Sequence, residues 1–420
     1  MGIIITLFLY LFLFIINTLF FKTYKNFLNL IISAILITLM IANIGFYGFQ
    51  PPSIKTNLFL NTSILCFDFF TLFFVSIKIK EVTNEIPKEK ISYFKINIVA
   101  VIICVLMIPS AIIGLNYIIN NGYGALRNAY LLDLVYSNYT KLLLVYILVP
   151  LNKGLFIYGV LDYFENKKVR LFLVVSIINI IQNVLIFAGR SVLMESFLYL
   201  LIVVLYYNRN RIFKVLKKNK KIVLLVIITI IFMLIITNNR NLIRGGSFLL
   251  NLYSYFCGSM HIIDYHIRNV NFSLLDGSHL LYGKIVLSPF FDTIKLFLNI
   301  FGIENSIRTG TEIINNQVQQ YIQFNNNISL NNNVTYLYVC LRDFGTLGLI
   351  IGPLYLSLLY SIVYKKFVYY KSIKNKALYF YMISVVPYLI LEFYFNRTGT
   401  IYTIIFILLI GKLFVKEEKK

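Results

Sequence analysis

The sequence begins with the apolar run GIIITLFLYLFLFIINTLF, residues 2–20, which contains no charged side chain. A helix needs about 20 apolar residues to cross the hydrocarbon core of a bilayer, so this run predicts a membrane-spanning helix. Runs of similar length recur along the chain and predict about eleven spans in all. After the first run they fall at roughly residues 26–48, 57–79, 95–119, 142–163, 170–188, 191–207, 222–238, 344–364, 377–395 and 400–415.

The composition of the chain indicates the same class of protein. Hydrophobic residues make up 59% of the 420 positions, and the mean hydropathy is +0.78. A soluble core cannot accommodate so many long apolar runs, so we expect an all-α polytopic integral membrane protein. The net charge of +22 lies in short loops between the runs. This distribution is typical of residues that set membrane topology, and we expect no nucleic-acid partner.

The spacing of the apolar runs divides the chain into three parts. Residues 1–238 form a predicted transmembrane bundle of eight spans, and residues 344–420 hold the last three spans and a basic cytoplasmic tail. Between them lies a large extracytoplasmic loop, residues 239–343. A loop of this length between spans usually folds and usually has a function. Its apolar patches at 248–260 and 285–303 predict short amphipathic helices that lie on the membrane face.

Lysine and arginine are distributed differently across the predicted membrane. One face holds most of the 39 basic residues, and its only arginines are Arg170, Arg209 and Arg211. Cytoplasmic loops retain positive charge, so this face is predicted to be cytoplasmic, with the N-terminus outside and the C-terminus inside. The opposite face holds the remaining arginines, which are Arg127, Arg190, Arg240, Arg244, Arg268, Arg308, Arg342 and Arg397.

Five of the outer arginines stand at the ends of predicted helices and carry a functional hypothesis: Arg190, Arg240, Arg244, Arg342 and Arg397. Arginine binds phosphate through a planar fork of donors that lysine lacks. Arg240 and Arg244 are four residues apart and share a face if the helix continues, so a diphosphate between them would relieve their repulsion. The alternatives are a pair of solvated arginines and, for Arg190, a side chain that reaches the lipid headgroups. Arg127, Arg268 and Arg308 are in mid-loop positions typical of surface residues.

Acidic and histidine residues supply the remaining candidates. Asp343 follows Arg342 where the ninth span is predicted to open, and it would complement the dipole at a helix start. His261, Asp264 and His266 lie close together in the large loop, either as a general base for a sugar hydroxyl or as ordinary polar residues of the loop. Glu392 is expected to join the same cavity as Arg397.

Three further ionisable residues lie within or near the predicted spans. Asp68 and Lys153 lie deep in the third and fifth spans, where an ionisable group is costly. Glu195 is expected to face Arg190. The cysteines Cys66, Cys104, Cys257 and Cys340 lack metal spacing, and we expect no metal and no cofactor.

The stretch NVTYLYVCLRDFGTLGLII, residues 333–351, resembles the Wzy-type oligosaccharide repeat-unit polymerases of bacterial O-antigen and capsule synthesis. The run AGRS at residues 188–191 resembles the Gly-Arg hairpin of that family, and the topology with one dominant outer loop is similar. The resemblance implies a GT-C-like membrane glycosyltransferase in the bacterial cytoplasmic membrane. Its substrates would be undecaprenyl-diphosphate-linked oligosaccharides, and its partners membrane lipids, a chain-length regulator and a flippase.

The chemistry that the resemblance implies assigns roles to the candidate residues. The expected catalytic residues are Arg190, Arg244, Arg342 and Asp343, because arginines stabilise the charge that develops on a diphosphate leaving group. The expected substrate-binding residues are Arg240, Arg397, Glu392, Asp264, His261 and His266. Three alternatives stay open. One is an O-antigen ligase, which would share the topology and the arginines, and another is a lipid-linked oligosaccharide flippase or a related transporter. The third is a structural or scaffold membrane protein, in which the clustering of the outer arginines would be accidental.

Overall fold

The computed structural model divides the chain into two compact units, which we describe separately. Unit 1 comprises Met1–Glu81, Ser247–Lys365 and Val385–Thr398, and unit 2 comprises Val82–Gly246, Lys366–Ser384 and Gly399–Lys420. The structure describes residues 2–24, 26–77, 89–131, 134–189, 191–207, 248–268, 280–303, 307–310, 312–313, 322–325, 328–330, 334–370, 372–391 and 393–417.

Helices account for nearly all of the regular structure. A π-helical segment, Leu143–Leu148, joins the sixth helix to the seventh. In chain order the described helices are α1 (Gly2–Phe21), α2 (Phe27–Ile44), α3 (Ile54–Ser76), α4 (Tyr93–Asn121), α5 (Tyr123–Leu131), α6 (Asn138–Leu142), α7 (Val149–Asn166), α8 (Leu171–Phe187), α9 (Ser191–Tyr207), α10 (Phe248–Arg268), α11 (Ser288–Ile300), α12 (Tyr336–Phe344), α13 (Gly348–Tyr370), α14 (Ile373–Val385), α15 (Tyr388–Leu391) and α16 (Thr398–Leu413).

Short strands form two antiparallel pairs. In unit 2, β1 (Glu89–Ile91) pairs with β4 (Val415–Glu417), so that Glu89 lies opposite Glu417. In unit 1, β2 (Ile322–Asn325) pairs with β3 (Ile328–Leu330), with an irregularity between Gln323 and Asn325. The residues predicted as a large loop contain helices α10 and α11, of 21 and 13 residues, and a short hairpin, and their place outside the membrane stays a prediction.

Six helical segments of the described chain are long and apolar enough to cross a membrane, judged by length and composition. These are the features of an all-α membrane protein. The segments are Ile4–Phe21, Phe27–Ile44, Ile54–Ser76, Tyr93–Asn121, Asn138–Asn166 and Tyr336–Tyr370, and the shorter apolar helices are α8, α9 and α16. The predicted span at 222–238 lies outside the described residues, and the span at 377–395 is divided between α14 and α15. The count of eleven spans stays a prediction.

Polar side chains join the long helices of unit 1 across their buried faces. Asn17 of α1 donates to the Asp68 carboxylate of α3 at 2.6 Å, and both side chains are buried. Ser63 of α3 shares a hydrogen bond of 2.7 Å with the Tyr336 hydroxyl of α12. Ser357 of α13 donates to a backbone carbonyl of α3 at 2.9 Å. Hydrogen bonds of this kind hold helices together where no water competes for the polar groups.

Unit 2 contains an ion pair between two helices. Lys153 of α7 donates to the Glu195 carboxylate of α9 at 2.6 Å, and both side chains are largely buried. The expectation from sequence paired Glu195 with Arg190, but α7 brings Lys153 against this carboxylate, and Arg190 lies outside the described residues. The ion pair neutralises both charges, which lowers the cost of burying them.

The junction between α12 and α13 differs from the expected start of the ninth span. Helix α12 begins at Tyr336 and ends at Phe344, so Asp343 lies near its C-terminal end and does not complement the dipole of a helix start. Gly345 then adopts a φ of +60°, which a side chain would disfavour, and this residue breaks the helix. The expectation for Asp343 was wrong because the helix begins eight residues before Phe344, within the stretch that sequence assigned to the loop.

Two glycines at the start of α13 allow it to fold back closely on α12. A Cβ at Gly348 would collide with the carbonyl of Cys340, and a Cβ at Gly352 would collide with the Cys340 sulfur atom. We expect Gly348→Ala to lower the free energy of unfolding by about 1–3 kcal/mol, because a backbone atom cannot move away. We expect Gly352→Ala to be rescued by Cys340→Ala, which removes the colliding sulfur, whereas Gly348→Ala is not rescued by it.

The measurement is thermal unfolding in detergent. Unfolding is monitored by the reaction of a fluorogenic thiol dye with the cysteines, all of which are free. Cys257 is buried and reports unfolding in every variant, including those that lack Cys340. Gly399→Ala is the matched control, because no atom lies within 4 Å of a Cβ at that position. Equal unfolding temperatures for Gly348→Ala and Gly399→Ala would contradict the close packing at Gly348.

Candidate active site

The carboxylate of Asp343 binds the backbone of the turn that precedes α11. It accepts hydrogen bonds from the amides of Ile285 at 3.1 Å and Val286 at 2.8 Å, and the Asp343 side chain is fully buried. The Asp343 carbonyl accepts a further bond from the Tyr282 amide at 2.9 Å. Charge-assisted bonds of this kind are short and strong, so Asp343 fixes the turn against the end of α12. This environment favours a positioning role for Asp343 over the predicted catalytic role.

Arg342 interacts electrostatically with a buried histidine of α10. The Arg342 side chain is half-buried, and its charge acts on the imidazole of His266 in α10. The His266 ring packs edge-on against the Tyr338 ring, with centroids 5.0 Å apart. Burial, and then the charge of Arg342, lower the pKa of His266 to about 4, so its imidazole is neutral at neutral pH. His266 thus contacts α12 through Tyr338, and the charge of Arg342 reaches its imidazole.

Asp264 of α10 caps the start of α3. Its carboxylate accepts bonds from the Ser53 amide at 2.8 Å and the Thr56 hydroxyl at 2.7 Å. The other carboxylate oxygen pairs with Arg268, one helical turn away, at 2.7 Å. Arg268 also donates to the Pro51 carbonyl at 3.0 Å. Three of these four bonds attach the C-terminal part of α10 to the start of α3 and the residues just before it, which favours a structural role for Asp264.

His261 lies on the same face of α10 as Asp264 and is buried among aromatic rings. Its ring stacks on Phe49 with centroids 4.7 Å apart, and its Nε2 atom shares a hydrogen bond of 2.9 Å with the Tyr253 hydroxyl. Burial lowers the pKa of His261 to about 4, against the attraction of Asp264 and a hydrogen bond with the Gln50 backbone. The contacts integrate His261 into the packing of α10 on the loop before α3.

His261, Asp264 and His266 are close in sequence, but the helix places them on two different faces of α10. His261, Asp264 and Arg268 are spaced by three and four residues, which places them on one face of α10. His266 is two residues from Asp264, about 200° around the helix axis, and it contacts α12 instead. His261 and Asp264 therefore serve one interface of α10, and His266 serves the other.

Arg397 occupies the turn that leads into α16. Its side chain is exposed, and the guanidinium lies over the Tyr394 ring at 4.9 Å. The Tyr394 ring in turn stacks on Tyr388, with centroids 4.5 Å apart. Beside Arg397, Thr398 donates to the carboxylate of Asp292 in α11 at 3.2 Å. The stacking restrains the orientation of an exposed guanidinium.

The structure covers part of the predicted site. Arg342, Asp343, Asp264, His261, His266 and Arg397 are described, whereas Arg190, Arg240, Arg244 and Glu392 lie outside the described residues. Sequence reasoning missed Tyr338, which lies four residues before Arg342 on α12 and contacts His266. The spacing of four residues to Arg342 could have identified it. Over the described ranges, no group of three or more His, Cys, Asp or Glu side chains could hold a metal ion.

Comparisons with known proteins give no assignment. No family model, no curated protein and no solved structure matches this chain. The resemblance to Wzy-type polymerases accordingly stays a prediction carried by residues 188–191 and 333–351.

The hydrogen bonds of Asp343 predict how its substitution affects the turn at residues 280–287. We expect Asp343→Asn and Asp343→Ala to speed tryptic cleavage after Lys284 by roughly tenfold, because the amides of Ile285 and Val286 lose a charged acceptor. Limited proteolysis of the full chain with mass spectrometry measures this rate. Asp292→Asn, on the helix that follows, is the control and should leave cleavage after Lys284 unchanged. A cleavage rate in both Asp343 variants equal to that of the wild type would rule out the positioning role.

The two buried histidines predict a loss of stability in mild acid. The unfolded chain takes up protons as the pH falls below about 6.5, whereas folded His261 and His266 take them up only near pH 4. The folded state is therefore disfavoured as the pH falls through this window, by about 1–2 kcal/mol per histidine at pH 5. We expect His261→Gln and His266→Gln each to flatten the pH dependence of the unfolding temperature between pH 7.5 and 5. If the unfolding temperature of both variants fell with pH as steeply as that of the wild type, the prediction would be contradicted, whatever their stability at pH 7.5.

Proposed function

We propose that the protein polymerises undecaprenyl-diphosphate-linked oligosaccharide repeat units into O-antigen or capsular polysaccharide. The reaction would take place at the outer face of the bacterial cytoplasmic membrane. The proposal includes about eleven spans, an external N-terminus and a cytoplasmic C-terminus, as the distribution of lysine predicts. It also includes a GT-C-like architecture with one large outer loop.

The observation that carries the proposal is the environment of Arg342. Its half-buried guanidinium stands at a helix end, and its charge acts on the His266 imidazole, which is neutral at neutral pH. The carboxylate of Asp343, the next residue, is already engaged by backbone amides. A cation in a partly dry site interacts more strongly with an anion than a cation in water does. This arrangement suits the recognition of a diphosphate at the membrane surface.

The reaction requires groups that the candidate residues can supply. A hydroxyl of the acceptor repeat unit attacks the anomeric carbon of the donor chain, and the bond from that carbon to the lipid diphosphate breaks. The diphosphate leaves with the electron pair, and arginine donors stabilise its growing charge. The hydroxyl proton passes to a base. Because Asp343 and Asp264 are engaged in structural bonds, His266, whose imidazole interacts electrostatically with Arg342, is the remaining candidate base on the α10–α12 contact.

The experiment replaces Arg342 by Lys and by Ala and compares the length of glycan ladders in cells at equal protein level. We expect both variants to lose long ladders, because removing one preorganised donor slows such reactions about a hundredfold or more and lysine lacks the planar fork. The same pair of substitutions applies to Arg190 and Arg244.

Arg308→Ala is the matched control. Arg308 is exposed in a loop on the same predicted face, so its removal should leave the ladders unchanged. Wild-type ladders in the Ala variants of Arg190, Arg244 and Arg342 would overturn the role of the arginines at the diphosphate. Ligase action is distinguished in a strain that lacks the lipid A core acceptor, in which a polymerase still builds lipid-linked ladders.

A further inference from the structure

Helix α11 exposes large apolar side chains along one side. Phe290, Phe297 and Phe301 are 64%, 54% and 71% exposed, and Leu287 just before the helix is 53% exposed. Ile294 lies between them at the same helical spacing. With 100° per residue, these five positions fall within about 80° of one another around the helix axis, so they form one continuous apolar stripe. Exposed apolar stripes of this size mark surfaces that contact a protein or a membrane.

The opposite side of α11 is polar. Asp292, Lys295 and Asn299 lie between about 120° and 180° from the centre of the apolar stripe. Asn299 is exposed, Lys295 pairs with Glu312, and Asp292 accepts a hydrogen bond from Thr398 at 3.2 Å. The helix therefore presents its apolar side to its surroundings and uses part of its polar side to contact the rest of unit 1. This is the reverse of a surface helix in a soluble protein, whose apolar side faces the core.

Two attachments hold α11 next to the ends of apolar helices. The turn before it is bound by Asp343 at the α12–α13 junction, within the apolar segment Tyr336–Tyr370. Asp292 is bound to Thr398, the first residue of the apolar helix α16. With 13 residues, α11 is itself too short to cross a bilayer. A short helix that is attached to helix ends and has an exposed apolar side has the features of a helix in the membrane interface.

We infer that α11 lies in the membrane interface, with the stripe formed by Leu287, Phe290, Ile294, Phe297 and Phe301 inserted among the acyl chains next to the lipid headgroups. The occupant of the stripe is therefore lipid. The polar side, with Lys295 and Asn299, faces the headgroups and water. This inference concerns how the protein meets the bilayer and holds whatever reaction the protein catalyses. In this position α11 would act as an anchor that holds the large loop against the membrane surface.

The chain contains no tryptophan, so a single introduced tryptophan reports its own environment without background. The full-length Phe297→Trp variant is reconstituted into phosphatidylcholine vesicles whose lipids carry bromine on the upper part of the acyl chains. The matched control is Asn299→Trp, two residues away and also exposed, but on the polar side. Phe301→Trp is a second reporter on the stripe, and thermal unfolding with a thiol dye verifies that each variant folds.

We expect the fluorescence of Phe297→Trp and Phe301→Trp to be blue-shifted and to be quenched by brominated lipid severalfold more than that of Asn299→Trp. Acrylamide in the aqueous phase should quench the fluorescence of Asn299→Trp more than that of Phe297→Trp and Phe301→Trp. Strong quenching of the stripe reporters by acrylamide, with no excess quenching by brominated lipid, would place the stripe in water and overturn the inference. A blue-shifted emission that neither quencher reaches would mean that protein, such as a second copy of this chain, covers the stripe, and this result would also overturn it.

Discussion

The carboxylate of Asp343 determines how the segment before α11 meets the helix ends of unit 1. A buried carboxylate is costly unless donors surround it, and here the donors are backbone amides of residues 285 and 286. Because these donors belong to a turn that precedes α11, satisfying the charge also orders the turn. Gly345 ends α12 directly after Asp343, and Gly348 lets α13 pack against Cys340. The position of α11 depends on this arrangement.

Helix α10 connects two interfaces of unit 1 through opposite faces. Asp264 attaches one face to the start of α3, and the same face places His261 against Phe49. The other face places His266 against Tyr338 and beside Arg342. A rotation of α10 would disturb both interfaces at once, because the residues are fixed on one rigid helix. The neutral imidazole next to Arg342 is thus a consequence of how Asp264 is bound on the far side.

The sequence predicts the apolar helices well because hydrophobicity over 20 residues is a local property. It also predicts the short helices of the large loop from their apolar patches. It does not predict that α12 begins at Tyr336, because the apolar residues upstream of Asp343 are interrupted by Thr335 and the Asn-rich stretch before it. The pairing of Lys153 with Glu195 depends on which helices are neighbours, and no local pattern encodes that. The faces of α10 could have been derived once a helix was assumed, since the spacing of His261, Asp264 and His266 fixes them.

The structural contacts reduce the number of arginines that can hold a diphosphate. Arg268 is bound to Asp264 and to the Pro51 carbonyl, so a phosphate at its guanidinium would have to displace a buried carboxylate. Arg127 of unit 2 lies over Tyr130 and donates to the Phe187 carbonyl at 3.4 Å, which ties it to the end of α8. Arg397 lies over the Tyr394 ring, and the charge of Arg342 acts on the imidazole of His266. Arg268 and Arg127 therefore serve as structural ties, which leaves Arg342 and Arg397 as the described arginines of the predicted site to test for an anionic ligand.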